Sequence, residues 1–317
     1  WANHGNSFSR VNTSGPAYQL STSRTQGRAS VMHPYRHDVL ADVLNVIETH
    51  HLARRIYLDA EARSVGGQQP SGWVVSGVVD GAAPFSLKCE LVCLCTNRQL
   101  APPRDTQLPQ EPCFAGAVCR GLSDDTESLG WAGKRVVITG MDTHAMEMMR
   151  TALEREQGAQ HVMMLTSKLA AVNPRVIDWL HCIRPWDAHL RHRSRQGDLA
   201  LDSMVRDLYV TCGAGSPKTF TPGSSLFSDL FFIGQSLAMV EARVGGVMCV
   251  ESHGVVTEDA RFLRADILIK CPGLRADEST TMLNATVMNG TGLVDRNLWI
   301  QRDADTDSGL EATAPLA

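Results

Sequence analysis

The pattern of apolar and polar positions is sharpest after residue 133. KRVVIT (134–139) is a short apolar run, and Gly140 closes it. THAMEMMRTALEREQGA (143–159) then carries apolar residues at helical spacing up to a Gly158 stop, and HVMMLTS (161–167) is a second apolar run. The pattern predicts a β-α-β unit with parallel strands and a right-handed crossover. Upstream, 38–52 places Val39, Leu40, Val43, Leu44 and Ile47 on one helical face, with Asp38 as N-cap or first-turn acid. RRIYLDA (54–60) alternates around Ile56 and Leu58 and is read as β. WVVSGVV (73–79) precedes Asp80-Gly81, a hairpin turn signal. ELVCLCTN (90–97) has the continuous apolar character of a strand buried on both faces. Pro102, Pro103, Pro109 and Pro112 mark a loop between domains.

Downstream, short helices are expected at 174–183 and near 199–210. From 246 on, VMCVESHGVVTEDARFLRADILIKC reads as three strands, the last running into Pro272-Gly273. The first 36 residues lack periodicity and are read as loop; the tail after about 302 is polar and read as frayed. The fold class is α/β, with Rossmann-like elements, parallel sheets and a β-meander.

Composition adds little direction. The chain has 317 residues, 43% of them hydrophobic, enough for a large core or two domains. A net charge of −4 gives no reason to expect nucleic acid. A basic stretch at 181–195 (HCIRPWDAHLRHRSR) is either a solvated face or a phosphate-facing patch. Nine scattered cysteines without a CxxC pair signal neither zinc nor a redox motif. Cys89, Cys93 and Cys95 share a strand face as small core residues, and a reducing, cytoplasmic setting is expected. No signal peptide and no membrane span are expected.

The turn GMDTHA (140–145) stands where a dinucleotide-binding turn stands, between a strand and a helix. Gly140 supplies the tight turn and Ala145 the small packing residue, but Asp142 occupies the place of the second glycine. That carboxylate either opposes a pyrophosphate or caps the helix. The second strand ends in Thr166-Ser167-Lys168, without the acid that selects NAD. Two hydroxyls and an ammonium suit a 2′-phosphate; an ordinary surface lysine is the other reading. No GxSxG, HExxH, phosphate-loop or Tyr-x-x-x-Lys motif is present.

Together these segments resemble the flavin-containing monooxygenase family over nearly the whole chain. GKRVVITGMDTHAMEMMRTALE is similar to that family's NADPH-binding turn, with Glu147 and Arg150 in its Glu and Arg places. PRVIDWL (174–180) is similar to the linker that follows the second strand. CELVCLCTNRQLAPP resembles the strand ending in the first "ATG" element, of which Thr96 is kept. ADILIKCPGL resembles the second, with Cys271-Pro272-Gly273 in place of Ala-Thr-Gly. The opening WANHGNSFSRVNTSGPAY is similar to the stretch around the family's GGxW, with Trp1 as its Trp and Asn12 at the asparagine beside the flavin. An Asx-turn before Pro16 is the local reading of Asn12.

The resemblance implies FAD and NADPH as cofactors. It implies NADPH- and O₂-dependent oxygenation of a soft N or S nucleophile through a C4a-hydroperoxyflavin. Asn12 would touch the flavin or nicotinamide, and Trp1, Thr96, Gly140, Ala145, Thr166, Ser167, Lys168 and Gly273 would line the cofactors. It divides the chain into a partial FAD domain (1–112), an NADPH domain (113–265) and a return to the FAD domain with a tail (266–317). The family's first GxGxxG would precede Trp1, so a piece of a longer protein is expected. Departures accompany the match. Phe114 and Gly116 of the FxGxxxH signature are kept, but Arg120 replaces its His and Asp124 its aromatic. A non-catalytic nucleotide-binding remnant is therefore the alternative.

Overall fold

A computed structural model describes residues 5–11, 34–67, 72–90, 92, 104, 106–122, 125–154, 157–177, 203–212 and 226–273. They form two compact units, one from the described residues of Trp1–His51 and Asp105–Gly273, the other from those of Leu52–Arg104. Trp1, Asn12, Thr96, Cys93, Cys95, the 181–195 stretch, most of the 90–97 run and the tail lie outside the described residues.

The smaller unit is an antiparallel meander of β1 (Ala60–Gly67), β2 (Trp73–Val79) and β3 (Ala83–Cys89). Asp80 and Gly81 both have positive φ, and the Ala82 N–H donates to the Val79 carbonyl at 3.2 Å. This is the hairpin turn that the Asp-Gly pair predicts, because its twist matches that of the flanking strands. Val65 and Trp73 form a small core with Val75, Cys89 and Val92. The expected strand at 54–60 is not one. Ala53–Arg55 is a 3₁₀ turn, Ile56, Tyr57 and Leu58 are exposed, and pairing begins only at Ala60. Among the described residues no neighbouring strand pairs with that alternation, and its apolar side chains stay exposed.

In the larger unit, α1 (Arg36–Thr49) begins from Tyr35, whose N–H donates to Asp38 Oδ2 at 2.9 Å. Asp38 thus acts as the first-turn acid rather than the N-cap. None of the helix is buried, and Val43 and Leu44 face outward. Five strands make an all-parallel sheet in the order β4-β13-β5-β6-β9: β4 (Ala117–Cys119), β5 (Arg135–Thr139), β6 (His161–Thr166), β9 (Val240–Val244) and β13 (Ile267–Lys270). Between β5 and β6 runs α2 (Thr143–Glu154), which completes the expected β-α-β unit. Its Ala145, Met148, Met149 and Ala152 follow i, i+3, i+4, i+7 spacing and are fully buried. Each buried Met contributes roughly 1.5–3 kcal/mol.

Alternate residues of each strand serve opposite faces. Val136, Ile138, Val162, Met164, Ile267 and Ile269 pack on the helical side with α2, Tyr209, and Phe231 and Phe232 of α3 (Asp229–Ser236). Val137, Met163, Leu165 and Leu268 face the other side. There they meet Val250 and Val255 of a second antiparallel sheet, β10 (Val247–Glu251), β11 (Gly254–Thr257) and β12 (Phe262–Arg264). Double coverage explains why the parallel strands read as continuous apolar runs. The stretch read as three strands holds four, because Phe262–Arg264 pairs as an edge strand before β13. A short parallel pair, β7 (Val172–Asn173) with β8 (Leu226–Phe227), completes the unit; helical backbone begins at 175–177 and covers 203–211.

Candidate functional site

The carboxyl edge of the parallel sheet gathers most of the expected site residues that lie among the described ones. Gly140 leaves β5 with φ +125°, and its N–H donates to the Leu165 carbonyl at 2.7 Å. A Cβ on Gly140 would sit 2.7 Å from the Cys271 carbonyl oxygen, so the close passage of the β13 end past the turn requires glycine. Ala145, fully buried, packs the first turn of α2 into the core.

Asp142 settles one of the two readings left open by the sequence. Its Oδ1 accepts the Ala145 N–H at 2.8 Å, and its carbonyl accepts from Met146 at 3.0 Å. It is the N-cap of α2. One of the amides that such a helix end offers to a phosphate is therefore held by the chain's own carboxylate. His144 Nε2 lies 3.0 Å from the Arg120 carbonyl, and the Arg120 N–H donates to Asp125 Oδ2 at 2.6 Å. Arg120, which stands where the family pattern has a histidine, thus joins the turn through its backbone.

At the end of β6, the neighbour of β5, the Thr166 hydroxyl donates to the Lys168 carbonyl at 2.9 Å and accepts the Lys168 N–H at 3.3 Å. That hydroxyl is committed to the local turn. Ser167 and Lys168 are exposed, and Lys168 forms no ion pair among the described residues. Gly273, with φ +77° and open space around it, follows β13 at the same edge. Ligands of open parallel sheets bind at this edge.

Two buried thiols border the edge. Burial pushes Cys119 up to about 12. It also raises Cys271 well above the usual thiol range, with Asp142 adding to the effect. Both stay protonated near neutrality and are not nucleophiles. Among the described residues there is no cluster of metal-binding side chains, and no helix is long and apolar enough to cross a membrane.

Sequence reasoning missed Lys270. It is 6% exposed, and its Nζ donates to both Glu111 oxygens at 2.7 and 2.8 Å and to the Thr106 carbonyl at 3.2 Å. The pair fastens the 106–111 segment onto β13. The available signal was a lysine inside a strand with no solvent-facing side (ILIKC), which obliges a buried partner.

No protein-family model matches the sequence. No curated protein matches it either. Solved structures do match in three dimensions. A mutant cyclohexanone monooxygenase from Rhodococcus sp. Phi1 bound to NADP+ superposes with a TM-score of 0.61 at 17% identity, over 89% of this chain and 65% of that one. A steroid monooxygenase bound to NADP gives 0.58 at 14%, over 89% and 65%. The polycyclic ketone monooxygenase of the fungus Thermothelomyces thermophila gives 0.57 at 15%, over 87% and 56%. The chain thus has the mixed α/β fold of these monooxygenases and spans less than two thirds of the length of these three.

Proposed function

We propose that the chain is a flavin-dependent monooxygenase that uses NADPH and O₂ to oxygenate a small-molecule nucleophile at a soft N or S atom. The observation that carries this reading is the carboxyl edge just described. A glycine turn opens α2, and beside it the β6 end presents Ser167 and Lys168 with no acid among 166–170. The donor set fits NADPH at the adenosine end: Lys168 and Ser167 would hold the 2′-phosphate, and the uncapped amides at the start of α2 would face the diphosphate. When bound, NADPH and FAD supply hydride and oxygen chemistry that no side chain here could provide. The protein's part is to bind, orient and exclude water. Of the residues proposed to line FAD, Gly273 is at this edge, whereas Trp1, Asn12 and Thr96 lie outside the described residues.

The test is direct. Purified protein loaded with FAD should be yellow and consume NADPH in the presence of O₂, and Lys168→Ala should weaken NADPH about tenfold while leaving NADH nearly unchanged. Protein that takes up no flavin would sink the oxygenase reading; equal losses for both nucleotides would remove Lys168 from the phosphate.

The Asp142 cap favours a second reading, a nucleotide-binding module without catalysis. Either way, Asp142→Gly should tighten NADPH by roughly tenfold, because it frees the Ala145 amide and removes a negative charge beside the diphosphate. Glycine is a tolerated N-cap, so stability should fall by only a few tenths of a kcal/mol. A fluorescence titration showing unchanged affinity would mean that the carboxylate does not oppose the nucleotide.

A further inference from the structure

His144 stands in the first turn of α2, between the Asp142 cap and the core residue Ala145. Its half-buried ring reaches the loop after β4, with Nε2 3.0 Å from the Arg120 carbonyl. A carbonyl oxygen only accepts, so Nε2 carries hydrogen and Nδ1 is the ring atom that gains or loses a proton. The loop is packed onto the ring. Gly121 has φ +69°, and a Cβ there would overlap Met148 and lie 3.3 Å from His144 Nε2.

Carboxylates gather at this end of the sheet. Asp142 precedes His144 on the turn, and Glu147 follows it on α2. Asp125, on the loop after β4, accepts the Arg120 N–H at 2.6 Å. All three act on the Cys271 thiol at the end of β13, which burial chiefly raises. That thiol and Cys119 of β4 stay protonated near neutrality. Cations answer part of the negative charge. The Arg120 guanidinium acts on Glu111, and Glu147 acts on Arg150, whose Nη2 donates to the Arg10 carbonyl at 3.1 Å. With the His144 ring neutral, a diphosphate at the α2 amides meets more carboxylates than guanidinium groups.

We infer that nucleotide binding at this turn is proton-linked through His144: the imidazolium draws the diphosphate of NADPH onto a helix end that Asp142 opposes. The added charge lies in the first turn, where the amides already favour an anion. A bound diphosphate favours the charged ring, so binding takes up a proton from solvent. Affinity therefore rises as pH falls through the range in which imidazoles titrate. The tie to Arg120 persists in both states, since Nε2 keeps its hydrogen, and the turn changes its charge without losing that contact. The linkage rests on the nucleotide site proposed above and is independent of flavin and oxygen.

The experiment is a calorimetric titration of NADP+ into the full chain at about pH 6 and about pH 8, in two buffers of different ionisation enthalpy. The nucleotide's own phosphates titrate alike against every variant, so ratios to wild type isolate the ring. His144→Gln keeps an amide donor for the Arg120 carbonyl but takes up no proton. It should bind about fivefold more weakly than wild type at about pH 6 and equally at about pH 8, with the proton uptake of the wild type lost. His144→Lys, charged at both, should bind about fivefold more tightly than wild type at about pH 8 and equally at about pH 6. The same pH dependence and proton uptake in wild type and His144→Gln would overturn the linkage and leave the nucleotide site standing. No binding of NADP+ to the wild type at either pH would overturn both.

Discussion

Lys270→Ala should cost the fold about 3–5 kcal/mol, because it leaves the Glu111 carboxylate beside β13 without its cation. Both members of the pair are largely buried, at 7% and 16% side-chain exposure, so water cannot replace the ammonium. Burial pushes the Glu111 carboxyl up, yet the Leu108 N–H and the Lys270 ammonium outweigh it and hold it below its ordinary value of 4.5. A carboxyl depressed in the folded state adds stability above its unfolded pKa, and that contribution is lost as pH falls through the folded pKa. The gap between wild type and Lys270→Ala should therefore be full near neutrality and close as pH falls through the lowered pKa of the folded Glu111 carboxyl. Urea midpoints measured across pH give the answer. The double replacement Lys270→Met with Glu111→Leu should recover most of the loss, since burying neither charge is cheaper than burying one. Equal midpoints for wild type and Lys270→Ala at pH 7 would show that the pair is not buried in solution.

Legibility followed locality. The β-α-β unit was readable because each of its signals lies within a few residues: an apolar run, a glycine, the Ala145–Met148–Met149–Ala152 stripe and a second apolar run. The Asp80-Gly81 turn was readable because two positive-φ residues are a local demand. By contrast, β1 carries only Val65 as a large apolar residue, and its pairing with β2 is set by the partner strand. The same blindness turned Ile56, Tyr57 and Leu58 into an expected strand. Within the site, the turn, its cap and the cationic end of β6 were legible. Lys270 with Glu111, 159 positions apart, and Arg150 with Arg10, 140 apart, were not, because tertiary folding alone brings them together.

Gly140→Ala should lower stability by about 2–4 kcal/mol and weaken NADPH at least tenfold in protein that remains folded. Two costs combine. A φ of +125° is one that an L side chain rarely adopts. The new methyl would also lie 2.7 Å from the Cys271 carbonyl oxygen, which is backbone and cannot rotate away. Relief by backbone movement is blocked on both sides: Gly140 N–H is held by Leu165 at 2.7 Å, and Cys271 N–H by Thr139 at 2.9 Å. Any shift must therefore disturb the β5–β6 or β5–β13 pairing, or tilt the start of α2 and its amides. Asp142→Ala is the comparison, since it removes the cap at a cost of about 1 kcal/mol but leaves the glycine turn intact. If the turn holds the nucleotide, Asp142→Ala should bind NADPH at least as well as wild type while Gly140→Ala binds it poorly. Equal nucleotide affinity in wild type and Gly140→Ala, measured where both are folded, would place the nucleotide away from this turn and remove the central support for the proposed function.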